Sequence, residues 1–106
     1  MADVNVAADQ VGAAEVALTA NTAKTVGFAR DLSEVDVANM GGAAAVYVAF
    51  VDADHPKGAT VPAANSPTHC FAVYPNSTAT LPVRTDGDTL VSVISSAATT
   101  VWVSAT

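Results

Sequence analysis

The sequence predicts an all-β domain, a single sandwich or small barrel of about seven or eight strands. Three observations lead there. From Glu34 to Thr106 the apolar residues recur with the two-residue period of a half-buried sheet. Small-residue turns punctuate that run at Asn39-Met40-Gly41-Gly42, Asp86-Gly87-Asp88 and Ser95-Ser96-Ala97-Ala98. Of the 106 residues 51% are apolar but only 6% aromatic, so the core must come mainly from Val and Ala.

Residues 1–14 read as an N-terminal arm with a weak Val4/Val6 alternation, and residues 15–106 as the sandwich domain. Val16 and Leu18 alternate with Glu15, Ala17 and Thr19, which predicts a strand over 15–20 against the helix that the nearby alanines would allow. After a turn at 21–24 comes a strand over 25–29, with Val26 and Phe28 on one face and Gly27 marking a bulge or a close backbone approach. Glu34 to Asn39 is the clearest alternation, Val35 and Val37 inward and Glu34 and Asp36 outward. Ala44 to Val51 is apolar on both faces, so this strand is either central or covered by a partner.

Residues 52–69 form a long loop in which Pro56, Pro62 and Pro67 break any ladder. Cys70 to Tyr74 and Thr78 to Arg84 follow as strands, and Pro82 marks the second as an edge strand. Thr89 to Ser95 and Thr99 to Ala105 look like a closing hairpin, with Val101 and Val103 on one face and Trp102 on the other.

Composition narrows function. Four cations face ten carboxylates, for a net charge of −6. Without a basic patch, binding to nucleic acid or to an anionic membrane is not expected. Charged residues are only 13% of the chain, and so sparse a charge suits a surface partly covered by other subunits. A single cysteine, Cys70, excludes an intrachain disulfide. The first residues lack the basic start and apolar core of a signal peptide, which points to synthesis in a cytosol.

No catalytic, cofactor or metal site is expected. His55, His69 and Cys70 lie near Asp52 and Asp54, but no zinc-ligand spacing joins them. Asp86-Gly87-Asp88 lacks the remaining oxygens of a calcium loop, with Ala97 where the closing glutamate would stand. No nucleophile sits in a recognisable motif, so the chain does not read as an enzyme. Asn76-Ser77-Thr78 fits a glycosylation acceptor, a chance match without a secretory signal. Tyr47 and Trp102 suggest either a carbohydrate-stacking platform or, more in keeping with a lone Trp on a last strand, core or subunit interface.

From Leu18 onward the chain resembles the small all-β virion proteins of tailed bacteriophages, in particular capsid decoration (cement) proteins and head-fibre-like proteins. The matching segments are Leu18-Thr19-Ala20-Asn21-Thr22, Val35-Asp36-Val37-Ala38-Asn39-Met40-Gly41-Gly42, Ala45-Val46-Tyr47-Val48, Thr89-Leu90-Val91-Ser92-Val93-Ile94-Ser95-Ser96 and Val101-Trp102-Val103-Ser104. The resemblance implies a β-sandwich, commonly a β-tulip or jelly-roll, and a structural protein of the virion, made in the bacterial host cytoplasm. It would bind the outer capsid surface and stabilise it between major capsid protein subunits, commonly as a homotrimer. The alternatives are another virion component of tail, neck or head fibre, a carbohydrate-binding host-adsorption module, or, least in keeping, a small hydrolase. The resemblance transfers no site residue. The residues themselves suggest an interface at Val4, Val6, Tyr47, His55, Pro56, Pro62, Pro67 and Trp102.

Overall fold

The computed structural model describes residues 4–6, 13–28, 34–41, 44–51, 58–62, 65, 70–82 and 89–105, with the backbone alone at 4–6, 13, 89 and 105. The described residues form nine strands and no helix: β1 (Val4–Val6), β2 (Ala13–Leu18), β3 (Lys24–Phe28), β4 (Glu34–Asn39), β5 (Val46–Val51), β6 (Phe71–Val73), β7 (Ser77–Pro82), β8 (Thr89–Ser95) and β9 (Thr99–Ala105).

Strands β2 to β9 pair as one long ribbon folded on itself. β5 pairs with β6, β4 with β7, β3 with β8 and β2 with β9, all antiparallel. The ribbon rolls into two sheets, ordered β1-β3-β8-β5-β6 and β2-β9-β4-β7. The seams β5–β8 and β4–β9 complete them. This nested order is that of a jelly roll. β1 is an addition to it, running parallel to β3 with Val4 beside Val26 and Val6 beside Phe28. Residues 4–6 of the expected arm are therefore edge-strand backbone, and residues 13 and 14 already belong to β2. That strand is no helix, because Ala14, Val16 and Leu18 are buried while Glu15 and Ala17 are exposed. The β3–β8 register runs unbroken through Gly27, so that glycine makes no bulge.

The expected closing hairpin is not formed: β8 and β9 lie in different sheets. Each already has two neighbours, β3 and β5 for one, β2 and β4 for the other. Ser95 anchors the end of β8 within its own sheet. Its hydroxyl donates to the Ala45 carbonyl at 3.0 Å, and its carbonyl accepts from the Asn21 N–H at 2.8 Å. The short segment after it arches across to the second sheet.

Valine dominates the core between the sheets, with Phe28 as its large member. Ala14 is its single buried alanine, so the expected Val/Ala core is chiefly a valine one. One polar side chain closes the end of this core. Asn39 is fully buried, and its amide donates to the carbonyls of Ala44 (2.9 Å) and Val73 (3.2 Å). Its oxygen accepts from the Gly41 N–H (3.2 Å) and the Thr99 hydroxyl (3.3 Å). The bond to Val73 joins β4 in one sheet to β6 in the other. A Cβ at Gly41 would run into the Thr99 side chain, which would have to shift away from Asn39.

Candidate docking face

Each sheet has one face against the core and one facing outward, and the outer faces differ. On the five-stranded sheet, β5 sits between β8 and β6 and its second apolar face is covered by this chain itself. Ala49 and Ile94 from the sheet cluster with Ala59 from the loop, and Tyr47, Val61 and Cys70 pack against them. The fully buried Ser92 pins the loop, its hydroxyl accepting from the Ala59 N–H at 2.9 Å. The Thr60 N–H meets Cys70 Sγ at 3.5 Å a little further on. Of the two expectations for this strand, a central position is the one realised, and the described part of the loop supplies the cover.

The outer face of the four-stranded sheet carries no such cover among the described residues. Its side chains alternate with the buried valines of β4 and β9, so they point outward. One row across it runs Glu15, Trp102, Ala38, Thr78. The next runs Ser104, Asp36, Thr80, and Glu34 stands opposite Pro82. Asp36 accepts a hydrogen bond from the Thr80 hydroxyl at 2.6 Å. Trp102 is 38% exposed in a carpet of Ala, Thr and Ser. All three described carboxylates, Glu15, Glu34 and Asp36, lie on this face. Lys24, the one described cation, opens β3 in the other sheet.

Tyr47 and Trp102 thus occupy opposite sides of the sandwich, and a shared carbohydrate platform is geometrically impossible. Pro62 is half-buried in the loop over the five-stranded sheet. Val4 and Val6 extend the edge beyond β3 through their backbones. His55, Pro56 and Pro67 lie outside the described residues, as do Asp52, Asp54, His69, Asp86 and Asp88. Among the described residues no group of three or more His, Cys, Asp or Glu is arranged to hold a metal ion. Further apolar exposure is found at Met40 and Tyr74, beside the turns at one end of the sandwich, and at Phe71, whose ring meets Phe50 edge-on at 6.5 Å. Sequence reasoning missed Glu15, because only the pairing of β2 with β9 brings it beside Trp102.

A face of small side chains around one partly exposed indole can do recognition by shape and charge. Aromatic anchors of this kind are enriched at protein interfaces.

The chain matches no protein-family model and no curated protein. Among solved structures it is similar to a de novo designed double-stranded β-helix, at 9% identity over 89% of this chain and 97% of that one, with a TM-score of 0.54. It is also similar to PliG of Salmonella Typhimurium, a periplasmic lysozyme inhibitor of g-type lysozyme, at 15% identity over 97% of this chain and 98% of that one, with a TM-score of 0.50. At such identities the likeness is one of fold, and fold does not fix function.

Proposed function

We propose that this chain is a non-catalytic structural protein of a tailed-phage virion that binds the outer capsid surface and holds neighbouring major capsid protein subunits together. The supporting observation is the asymmetry of the two outer faces. One is covered in part by the chain's own loop, while the other presents Trp102 in a small-residue surface suited to lying against a larger protein. The adhesive mechanism needs no chemistry. A homotrimer presenting three such faces turns weak individual contacts into strong avidity. The likeness to phage decoration proteins gives the reading its address on the virion.

The test is to incubate the purified protein with DNA-free heads and count bound copies. Decoration gives roughly one copy per major capsid subunit, because every equivalent site is filled. Trp102→Ala lowers that occupancy, whereas Tyr74→Ala leaves it unchanged. A few copies per particle would assign the protein to the tail, neck or fibres instead. A second reading, host adsorption through a glycan, is favoured by the exposure of Trp102, since an accessible indole also stacks on sugar rings. Glycan-array binding that disappears in Trp102→Ala would select it.

A further inference from the structure

We propose that the outer face of the four-stranded sheet recognises an arginine side chain on its protein partner, with the guanidinium stacked on Trp102 and paired with Glu15. This deepens the docking reading above and rests on it for the identity of the face.

The argument starts from register. Glu15 and Trp102 are direct cross-strand partners, which places their Cβ atoms about 4.5–5.5 Å apart on one face. Asp36 stands opposite Ser104, two residues along β9, and so lies diagonal to Trp102, about 7–8 Å away. The indole is thus flanked by carboxylates from both neighbouring strands. Ala38, a small side chain, occupies the remaining position in its row, and Trp102 keeps 38% of its surface exposed. Glu15 is exposed and has no hydrogen-bond or ionic partner among the described residues. Asp36 is engaged by Thr80 through one oxygen, and its other oxygen has no partner among the described residues.

Charge selects the occupant. Every described carboxylate is on this face and no described cation is. A second copy of the same face would set like charges against one another, so self-association here is disfavoured. A cation is attracted both by the ring face and by the carboxylates. Arginine fits better than lysine, because its planar guanidinium stacks on an aromatic ring and presents a fork of donors to a carboxylate at once. A sugar would stack on the ring and donate hydroxyls to the carboxylates, but it brings no charge to meet theirs.

Trp102 is the only tryptophan of the chain, so its indole gives a single N–H resonance that reports on this site. The experiment titrates the protein with a short blocked Gly-Arg-Gly-Arg-Gly peptide and with its lysine counterpart, following that resonance and the amides of β2, β4 and β9. The arginine peptide should shift the indole N–H and the Glu15 amide and bind about fivefold tighter than the lysine peptide. Glu15→Gln should weaken it about threefold to fivefold. Trp102→Ala should remove the response of the Glu15 amide. Equal binding of the two peptides, an unchanged affinity in Glu15→Gln, or shifts confined to other faces would each overturn the proposal. So would a soluble oligosaccharide that shifts the indole when neither peptide does. Occupancy of capsids by the same variants separates the two readings. Binding to heads without arginine selectivity removes only the clamp, and arginine selectivity without binding to heads removes only the capsid.

Discussion

The two sheets are built from the same alternating valine strands and bury the same kind of inner face, yet they end in opposite surfaces. The five-stranded sheet is apolar on both sides along β5, and residues 58–62, between β5 and β6, pack over that part of its outer face. The four-stranded sheet is apolar on its inner side alone, and its outer side carries Trp102, three carboxylates and small hydroxyl or methyl side chains. One aromatic serves each outer face, Tyr47 packed under the chain's own loop and Trp102 left to the surroundings. Exposure therefore separates the two outer faces within one architecture, although residue type does not. Substitutions on either side, and at the link between them, sharpen this contrast.

The largest effect is expected at the link. Asn39→Ala removes the donor to the Val73 and Ala44 carbonyls and the acceptor for Gly41 N–H and the Thr99 hydroxyl, all at the closed end of the core. Leaving such groups unpaired costs about 3 kcal/mol in total. Urea unfolding should show that loss in both sheets together. A loss under about 0.5 kcal/mol, within the range of ordinary surface changes, would mean that the sheets do not depend on this clamp.

On the covered face, Tyr47→Ala removes an aromatic body packed against Ala49 and Ile94 and is expected to lower stability by about 2 kcal/mol. Ser92→Ala should cost about 1 kcal/mol by leaving the Ala59 N–H without its acceptor. Its signature is local: the Ala59 amide exchanges faster with solvent while amides of β4 and β9 keep their protection. Uniform acceleration across both sheets would show that the loop is part of the global fold and no separable cover.

Much of this architecture is legible in the chain, and what is not has a physical reason. The bounds of β4, β8 and β9 follow directly from their strict alternation, and the edge position of β7 follows from Pro82, which has no N–H to give a neighbour. Inward and outward sides follow as well, because a two-residue period fixes faces without fixing partners. Partners are another matter. Five of the nine described strands, β1, β4, β5, β8 and β9, offer valine at alternate positions, so the hydrophobic pattern satisfies many pairings equally, and the short Ser96-Ala97-Ala98 link suits either a hairpin or an arch. The nested ribbon is a global solution that no local segment encodes. The docking face shows the same divide. The outward position of Trp102 is readable from Val101 and Val103 on either side of it, whereas its neighbour Glu15 comes from the far end of the chain. Likewise, nothing near Ser92 announces that Ala59 will rest on it.

The smallest effect on the fold, and the most informative comparison with Tyr47→Ala, is expected for Trp102→Ala. An exposed cross-strand residue flanked by Glu15 and Ala38 contributes less than about 1 kcal/mol to the sheet. Thermal unfolding of this variant should therefore stay close to that of the parent chain, while binding to capsids should fall by at least about tenfold, as expected of a central aromatic anchor. Tyr47→Ala should do the reverse, losing stability but retaining binding once folded at low temperature. If instead Trp102→Ala unfolds as readily as Tyr47→Ala, the indole is holding the sheet together and the bare face loses its claim to be a surface kept for a partner. If both variants keep full stability and full occupancy, recognition must lie elsewhere, and the exposed Met40 and Tyr74 at the end of the sandwich become the next surface to alter.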